Sequence, residues 1–187
     1  MHILLTRPIE DCENLIIRFR NLGHKVSHLP LIKVKNKKYN PINFSEYNCL
    51  IFTSSNAIKN LNLDGINKNT DCFCVGSATE KIALSSGFQN VFSAEGNVNN
   101  LKELILQNTN NKDSKLLYIS GEVVSSDLDR DLIKEGYKIE RLVNYSVEPI
   151  ETLNVDFIEK LKKNIPETVF IYSQNSGKNF LNLINKY

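Results

Sequence analysis

The chain repeats itself, and the repeat narrows the possible folds more than any other feature. The stretch "CLIFTSSNAIKNLNL" at 49–63 is echoed by "TVFIYSQNSGKNFLNL" at 168–183, where Ser54, Asn56, Lys59 and Asn60 recur 119 positions later as Ser173, Asn175, Lys178 and Asn179. A second pair, "ILLTRPIEDCENLIIRFRNLGHKVSHLPLIKV" from residue 3 and "LLYISGEVVSSDLDRDLIKEGYKIERLVNYSV" from residue 116, aligns without gaps at a shift of 113 positions. Gly23 falls on Gly136, and Leu15, Phe19 and Val26 fall on Leu128, Leu132 and Ile139. Self-similarity at fixed offsets marks a structural unit used twice. By the same count about forty residues of the second copy have no counterpart after Tyr187, so the chain reads as a fragment or a short variant.

Short apolar runs alternate with helical stripes, the pattern of an α/β fold with parallel sheets. "HILLT" reads as a strand, and "EDCENLIIRFRNLG" as a helix with Leu15, Ile16, Phe19 and Leu22 on one face, ending at Gly23. "KVSHLPLIKV" reads as a strand that leaves its sheet at Pro30, because proline cannot donate to a ladder. "CLIFT", "CFCV", "NVF", "KLLYI", "KIERLVNYSVEP" and "TVFIY" read as further strands. Helices are expected from Ser54 or Ser55, over "GSATEKIALSSG" with Ser77 and Glu80 as a capping box, and over "VNNLKELILQ", "SSDLDRDLIKEG", "NVDFIEKLKKN" and "SQNSGKNFLNLI". Two α/β lobes follow. Periodicity alone leaves open whether each lobe is one copy or whether the copies exchange parts.

Composition excludes more than it selects. A chain of 187 residues with 41% hydrophobic residues suits a soluble globular protein, and a net charge of +2 with interspersed signs offers no footprint for nucleic acid. The opening "MHILLTRP" is too short for a secretory core, and no stretch reaches membrane-spanning length, so the cytoplasm is the expected compartment. Cys12, Cys49, Cys72 and Cys74 fall inside expected elements, where a free thiol packs as a small apolar group, and no partner pair completes zinc spacing. His2, His24 and His28 read as structural, and no metal site is expected.

Chemistry is expected where strands end. "FTSSN", "VGSATE", "ISGEVVSS" and "YSQNS" each place small polar residues before a helix, whose first N–H groups and positive dipole end favour anions. In open α/β sheets ligands lie at the carboxyl ends of the strands. Any one such turn is also an ordinary helix cap. Four at equivalent places in a duplicated fold point to a polyanionic ligand. Arg7, directly after the first strand, is placed to meet a carboxylate or to form a surface ion pair. Tyr145 in "VNYSVEP" is either a proton donor, since a phenol is protonated at neutral pH, or a packed tyrosine. The glycine fingerprints of dinucleotide and triphosphate sites are missing, as is the nucleophile elbow.

The ordered series "ILLTRP", "LIFTSSNAI", "CFCVGSATEKIALSSGF", "AEGNVNNL" and "LLYISGE", followed by "LIKEGYKIERLVNYSVEP", resembles the uroporphyrinogen-III synthase family over the whole chain. That resemblance implies two flavodoxin-like or Rossmann-like lobes with exchanged segments: residues 1–34 with 150–187, and residues 41–142. The connectors, residues 35–40 and 143–149, would form a two-stranded link. It implies closure of the linear tetrapyrrole hydroxymethylbilane to uroporphyrinogen III, with inversion of the last ring and loss of water, and without metal or cofactor. By resemblance Tyr145 and Thr79 would be the catalytic pair. Arg7, Thr53, Ser54, Ser55, Asn56, Gly76, Ser77, Ser120, Gly121, Ser173, Gln174 and Ser176 would bind the eight carboxylates. A monomer is expected, with transfer of substrate from the preceding pathway enzyme left open. The family's second "G-x-x-T" turn would follow Tyr187. The competing reading is a non-catalytic two-lobed module that binds a small polycarboxylate and releases it unchanged.

Overall fold

Apolar runs become strands and apolar stripes become helices almost throughout. The computed structural model describes residues 1–109 and 111–187, apart from the side chain of Glu10. The elements are β1 (His2–Leu5), α1 (Ile9–Asn21), β2 (Lys25–His28), β3 (Ile32–Asn36), β4 (Cys49–Phe52), α2 (Ser55–Lys59), β5 (Asp71–Val75) and α3 (Gly76–Ser85). They continue as β6 (Val91–Ala94), α4 (Val98–Asn108), β7 (Lys115–Gly121), α5 (Leu128–Lys134), β8 (Lys138–Pro149), α6 (Val155–Lys163), β9 (Thr168–Phe170) and α7 (Gln174–Ile184). Two compact units result, residues 1–34 with 147–187 and residues 35–146. The chain passes between them in β3 and again in β8.

The first unit is built on a three-stranded sheet in the order β2-β1-β9, with both pairings parallel. β1 is buried on both faces, as its unbroken apolar run requires. Ile3 and Leu5 pack with Cys12 and Ile16 of α1, while Leu4 packs with Leu29, Leu31 and Leu183 under α6 and α7. Each fully buried side chain of this kind contributes about 1.5–3 kcal/mol relative to exposure. The second unit carries the sheet β3-β8-β7-β4-β5-β6. Cys49, Ile51, Phe73, Leu116 and Tyr118 form one face of it, covered by Leu101 and Ile105 of α4 and by Leu128 and Leu132 of α5. "KVSHLPLIKV" divides at Pro30, and its halves, β2 and β3, belong to different sheets.

The duplication reaches down to the register of the ladders. His2 pairs with Lys25, and a shift of 113 positions carries both onto the paired Lys115 and Lys138. Ile3 pairs with Thr168, and the two offsets carry these onto the paired Leu116 and Cys49. The strand order β2-β1-β9 therefore repeats as β8-β7-β4.

Two expectations fail at helix starts. The Ser77–Glu80 capping box does not form, because the chain enters α3 straight from β5 with Val75 in the capping position and no side-chain cap, leaving Ser77 inside the first turn. A capping box is made instead by Asn97 and Asn100 at the head of α4. "ISGEVVSS" does not open a helix either. β7 runs through Ser120 to Gly121, and α5 begins only at Leu128, without a side-chain cap. Among the described residues no helix is long and apolar enough to cross a membrane.

Gly23 and Gly136, the repeat-related stops after α1 and α5, both have left-handed φ, +79° and +89°, and a Cβ at either would meet nothing within 4 Å. Alanine there strains only the backbone, which costs roughly 1–2 kcal/mol. Gly23→Ala and Gly136→Ala are therefore expected to lower unfolding free energy by similar amounts in urea titrations. A site that accepted alanine without loss would break the equivalence.

Candidate active site

In the second unit the carboxyl ends of β4 and β7 bring hydroxyls and backbone together. Ser54 caps α2 by accepting from the Asn56 N–H at 3.2 Å. Thr53, just before it, has its Oγ1 3.0 Å from the hydroxyl of Tyr118. Tyr118 is buried, and burial pushes its phenol above the ordinary range, with the Thr53 hydrogen bond and the nearby Arg141 guanidinium opposing the shift.

β8 meets β7 with one residue to spare. Ser120 pairs with Val143 but Gly121 pairs with Tyr145, so Asn144 is an extra residue and the ladder bulges there. Asn144 is fully buried, and its Nδ2 donates to the carbonyl of Ala57 in α2 at 2.7 Å. Beyond the bulge the N–H of Glu122 donates to the carbonyl of Tyr145 at 2.9 Å. The ring of Tyr145 lies directly on Gly121: a Cβ there would stand 2.8 Å from Cζ and 2.9 Å from Cε2. Tyr145 is only 8% exposed, yet its hydroxyl makes no hydrogen bond to another described residue.

These groups border an open hollow of about 350 Å³, within the range of small-molecule sites. Of the expected residues, Thr53, Ser54, Gly121 and Tyr145 line it together. Gly96, Asn97 and Val123 to Ser125 line it too and are missed by sequence reasoning, although "AEGNVNNL" carries a signal in the small and polar residues ahead of α4. Ser55 and Asn56 lie in the first turn of α2, and Gly76, Ser77 and Thr79 at the head of α3, off this wall. Thr79 is 4% exposed. Ser120 is buried with its hydroxyl engaged, accepting from Arg141 Nε at 2.8 Å and donating to the Gly121 carbonyl at 3.1 Å.

The remaining expected residues gather in the first unit, at the ends of β1 and β9. The Arg7 guanidinium stacks over the ring of Tyr172 at 4.1 Å, a cation–π contact. Burial raises the Tyr172 phenol, and Arg7 opposes it. Ser173 caps α7 by accepting from the Ser176 N–H at 3.1 Å, and Gln174 is the first residue of that helix. The thiols are free and buried, and among the described residues no cluster of three or more His, Cys, Asp or Glu could hold a metal ion.

A family model described as uroporphyrinogen-III synthase HemD matches residues 13–187. The chain belongs to the uroporphyrinogen-III synthase family. Uroporphyrinogen-III synthases are lyases of heme biosynthesis. Solved structures share the fold. The uroporphyrinogen-III synthetase of Helicobacter pylori superposes with a TM-score of 0.62 at 18% identity, over 96% of this chain and 76% of that one. A mutant uroporphyrinogen III synthase of the extremely thermophilic bacterium Thermus thermophilus gives 0.56 at 12% identity, over 98% of this chain and 77% of that one. No curated protein matches the sequence.

Two substitutions test how this hollow is built. Gly121→Ala must push the Tyr145 ring aside, and overpacking of this kind costs about 1–3 kcal/mol. Its unfolding free energy in denaturant should fall by about that amount, and an unchanged value would contradict the packing described. Thr53→Val leaves the buried Tyr118 hydroxyl unpartnered, a loss of about 1–3 kcal/mol in denaturant titrations.

Proposed function

We propose that this chain closes hydroxymethylbilane to uroporphyrinogen III, inverting the last pyrrole ring and releasing water, with Tyr145 as the proton donor. The observation that carries the reading is the Tyr145 ring laid on Gly121 at the edge of the hollow, with a hydroxyl that no described residue uses. A donor reserved in this way is available to a ligand. The phenol gives its proton to the departing hydroxyl, the carbon–oxygen bond breaks and water leaves. The freed methylene carbon bonds to the already substituted α-carbon of the last ring, and the bond from that carbon to its original methylene breaks. The ring turns over so that this methylene bonds to the ring's free α-carbon, whose shed proton restores the phenol.

Closure also requires one folded geometry of a flexible chain, which is a matter of orientation. Carboxylate grips are proposed for Arg7, Ser173, Gln174 and Ser176 in one unit. In the other they are proposed for Thr53, Ser54, Ser55, Asn56, Gly76, Ser77, Ser120 and Gly121, with Thr79 a second catalytic group. Support comes from their place at strand ends and helix starts, where backbone N–H groups face outward. The reading takes the protein as a cytoplasmic monomer that receives its substrate from the preceding pathway enzyme.

The test supplies purified protein with freshly generated hydroxymethylbilane and separates type I and type III isomers after oxidation. An excess of type III over the enzyme-free control is expected, falling on the order of 10²–10⁴-fold in Tyr145→Phe. Saturable uptake of the tetrapyrrole with only type I formed would instead favour a polycarboxylate-binding module.

A further inference from the structure

We propose that Arg141 is the positioning residue for Tyr145. This rests on the reading of Tyr145 as the proton donor, but it is argued from a separate set of contacts. Arg141 lies on β8 four residues before Tyr145, opposite Tyr118 in the ladder and with its guanidinium 6.0 Å from that ring's centre. It reaches across to the end of β7. Nε donates to Ser120 Oγ at 2.8 Å, and one terminal nitrogen donates to the carbonyls of Gly121 at 2.7 Å and Glu122 at 3.0 Å. Three consecutive residues at the bulge are thus held by one planar cation.

The arrangement matters because the other ties on Glu122 are its N–H bond to the Tyr145 carbonyl at 2.9 Å and an exposed ion pair with Lys37, and neither holds Ser120 or the Gly121 carbonyl. After Gly121 the chain leaves the ladder, and α5 begins only at Leu128 without a side-chain cap. A bulge re-aims the side chain beside it only when the two strands are held at the shifted register. Arg141 holds the β7 side. The Glu122 N–H to Tyr145 carbonyl bond and the buried Asn144 hold the β8 side. Between them Gly121 is presented as the flat support on which the Tyr145 ring rests.

The guanidinium acts through this support and touches neither the Tyr145 hydroxyl nor the reacting atoms. Lysine cannot replace it fully, because a single ammonium on a flexible stem cannot reproduce a rigid fork of donors spread over three residues. "KIERLVNYSVEP" shows an arginine in a strand but nothing of its partners.

The experiment uses the full chain and the variants Arg141→Gln and Arg141→Lys, each alone and combined with Tyr145→Phe. The first readout is the nuclear Overhauser contact between the Gly121 α-protons and the Tyr145 ring, with the ring signal assigned by its loss in Tyr145→Phe. It should weaken strongly in Arg141→Gln and partly in Arg141→Lys. The second is kinetic: kcat for type III formation should fall on the order of tenfold to a hundredfold, a larger factor than any rise in KM. No further loss should appear in the Tyr145→Phe background, because both changes remove the same contribution.

A contact of full strength in Arg141→Gln, a rise in KM at unchanged kcat, or a full additional loss in the Tyr145→Phe background would each overturn the proposal. If Arg141→Gln fails to fold, Arg141→Lys is judged by the same criteria. If the parent chain forms no type III isomer, the functional reading fails by itself, and the Gly121–Tyr145 contact decides the role of Arg141 alone.

Discussion

Complete burial of an asparagine at the point where β8 outruns β7 governs the rest of the second unit. Asn144 has its amide nitrogen satisfied by Ala57, while its Oδ1 has no partner among the described residues. A buried acceptor left unpaired costs about 1–3 kcal/mol. That cost falls where the register changes. With Asn144 folded inward toward α2, the next residue is set against Gly121, and both the hollow and the placement of Tyr145 depend on it. An apolar residue would remove the penalty and also the tie between β8 and α2.

The two units show how one scaffold diverges at its strand ends while keeping its ladders. The offsets that preserve strand register place Arg7 where the second unit has Ser120, and Tyr172 where it has Thr53. In the first unit this yields a guanidinium stacked on a ring. In the second it yields a hydroxyl pair between Thr53 and Tyr118, and the guanidinium comes from the neighbouring strand through Arg141, engaged by hydrogen bonds. Burial explains why the ladders are kept: β1 and β4 are covered on both faces, and a slip of one residue would move every side chain to the wrong face.

Much of this was legible in the sequence, and the parts that were not share a cause. The α/β class, the parallel sheets and the break at Pro30 follow from period, punctuation and the repeat, which depend on side-chain type alone. The family resemblance was carried by an ordered series of short motifs, and Thr53, Ser54, Gly121 and Tyr145 do line one hollow. The Ser77–Glu80 pattern failed because a capping box needs an extended residue ahead of the helix at that serine, and β5 supplies that residue earlier, at Val75. Ser120 and Gly121 looked like turn residues but continue a strand, because their partner across the ladder holds them there. The bulge at Asn144 could not be read at all. In "LVNYSV" an extra residue is visible only against the strand it fails to match, and Arg141 gains its meaning from that strand too.

The first unit is assembled from both ends of the chain, and this has a consequence for its birth on the ribosome. His2 exchanges hydrogen bonds with Glu167, 165 residues away, and β1 lies between β2 and β9. At a synthesis rate of about 5–20 residues per second, β1 emerges on the order of ten seconds before β9, its neighbour on the other side. During that interval Leu4 lacks α7, and only α1 and β2 are at hand to cover the apolar run of β1. The contiguous unit of residues 35–146 has all its strands well before then, so the two units are expected to reach their native contacts in the order opposite to that in which the chain begins.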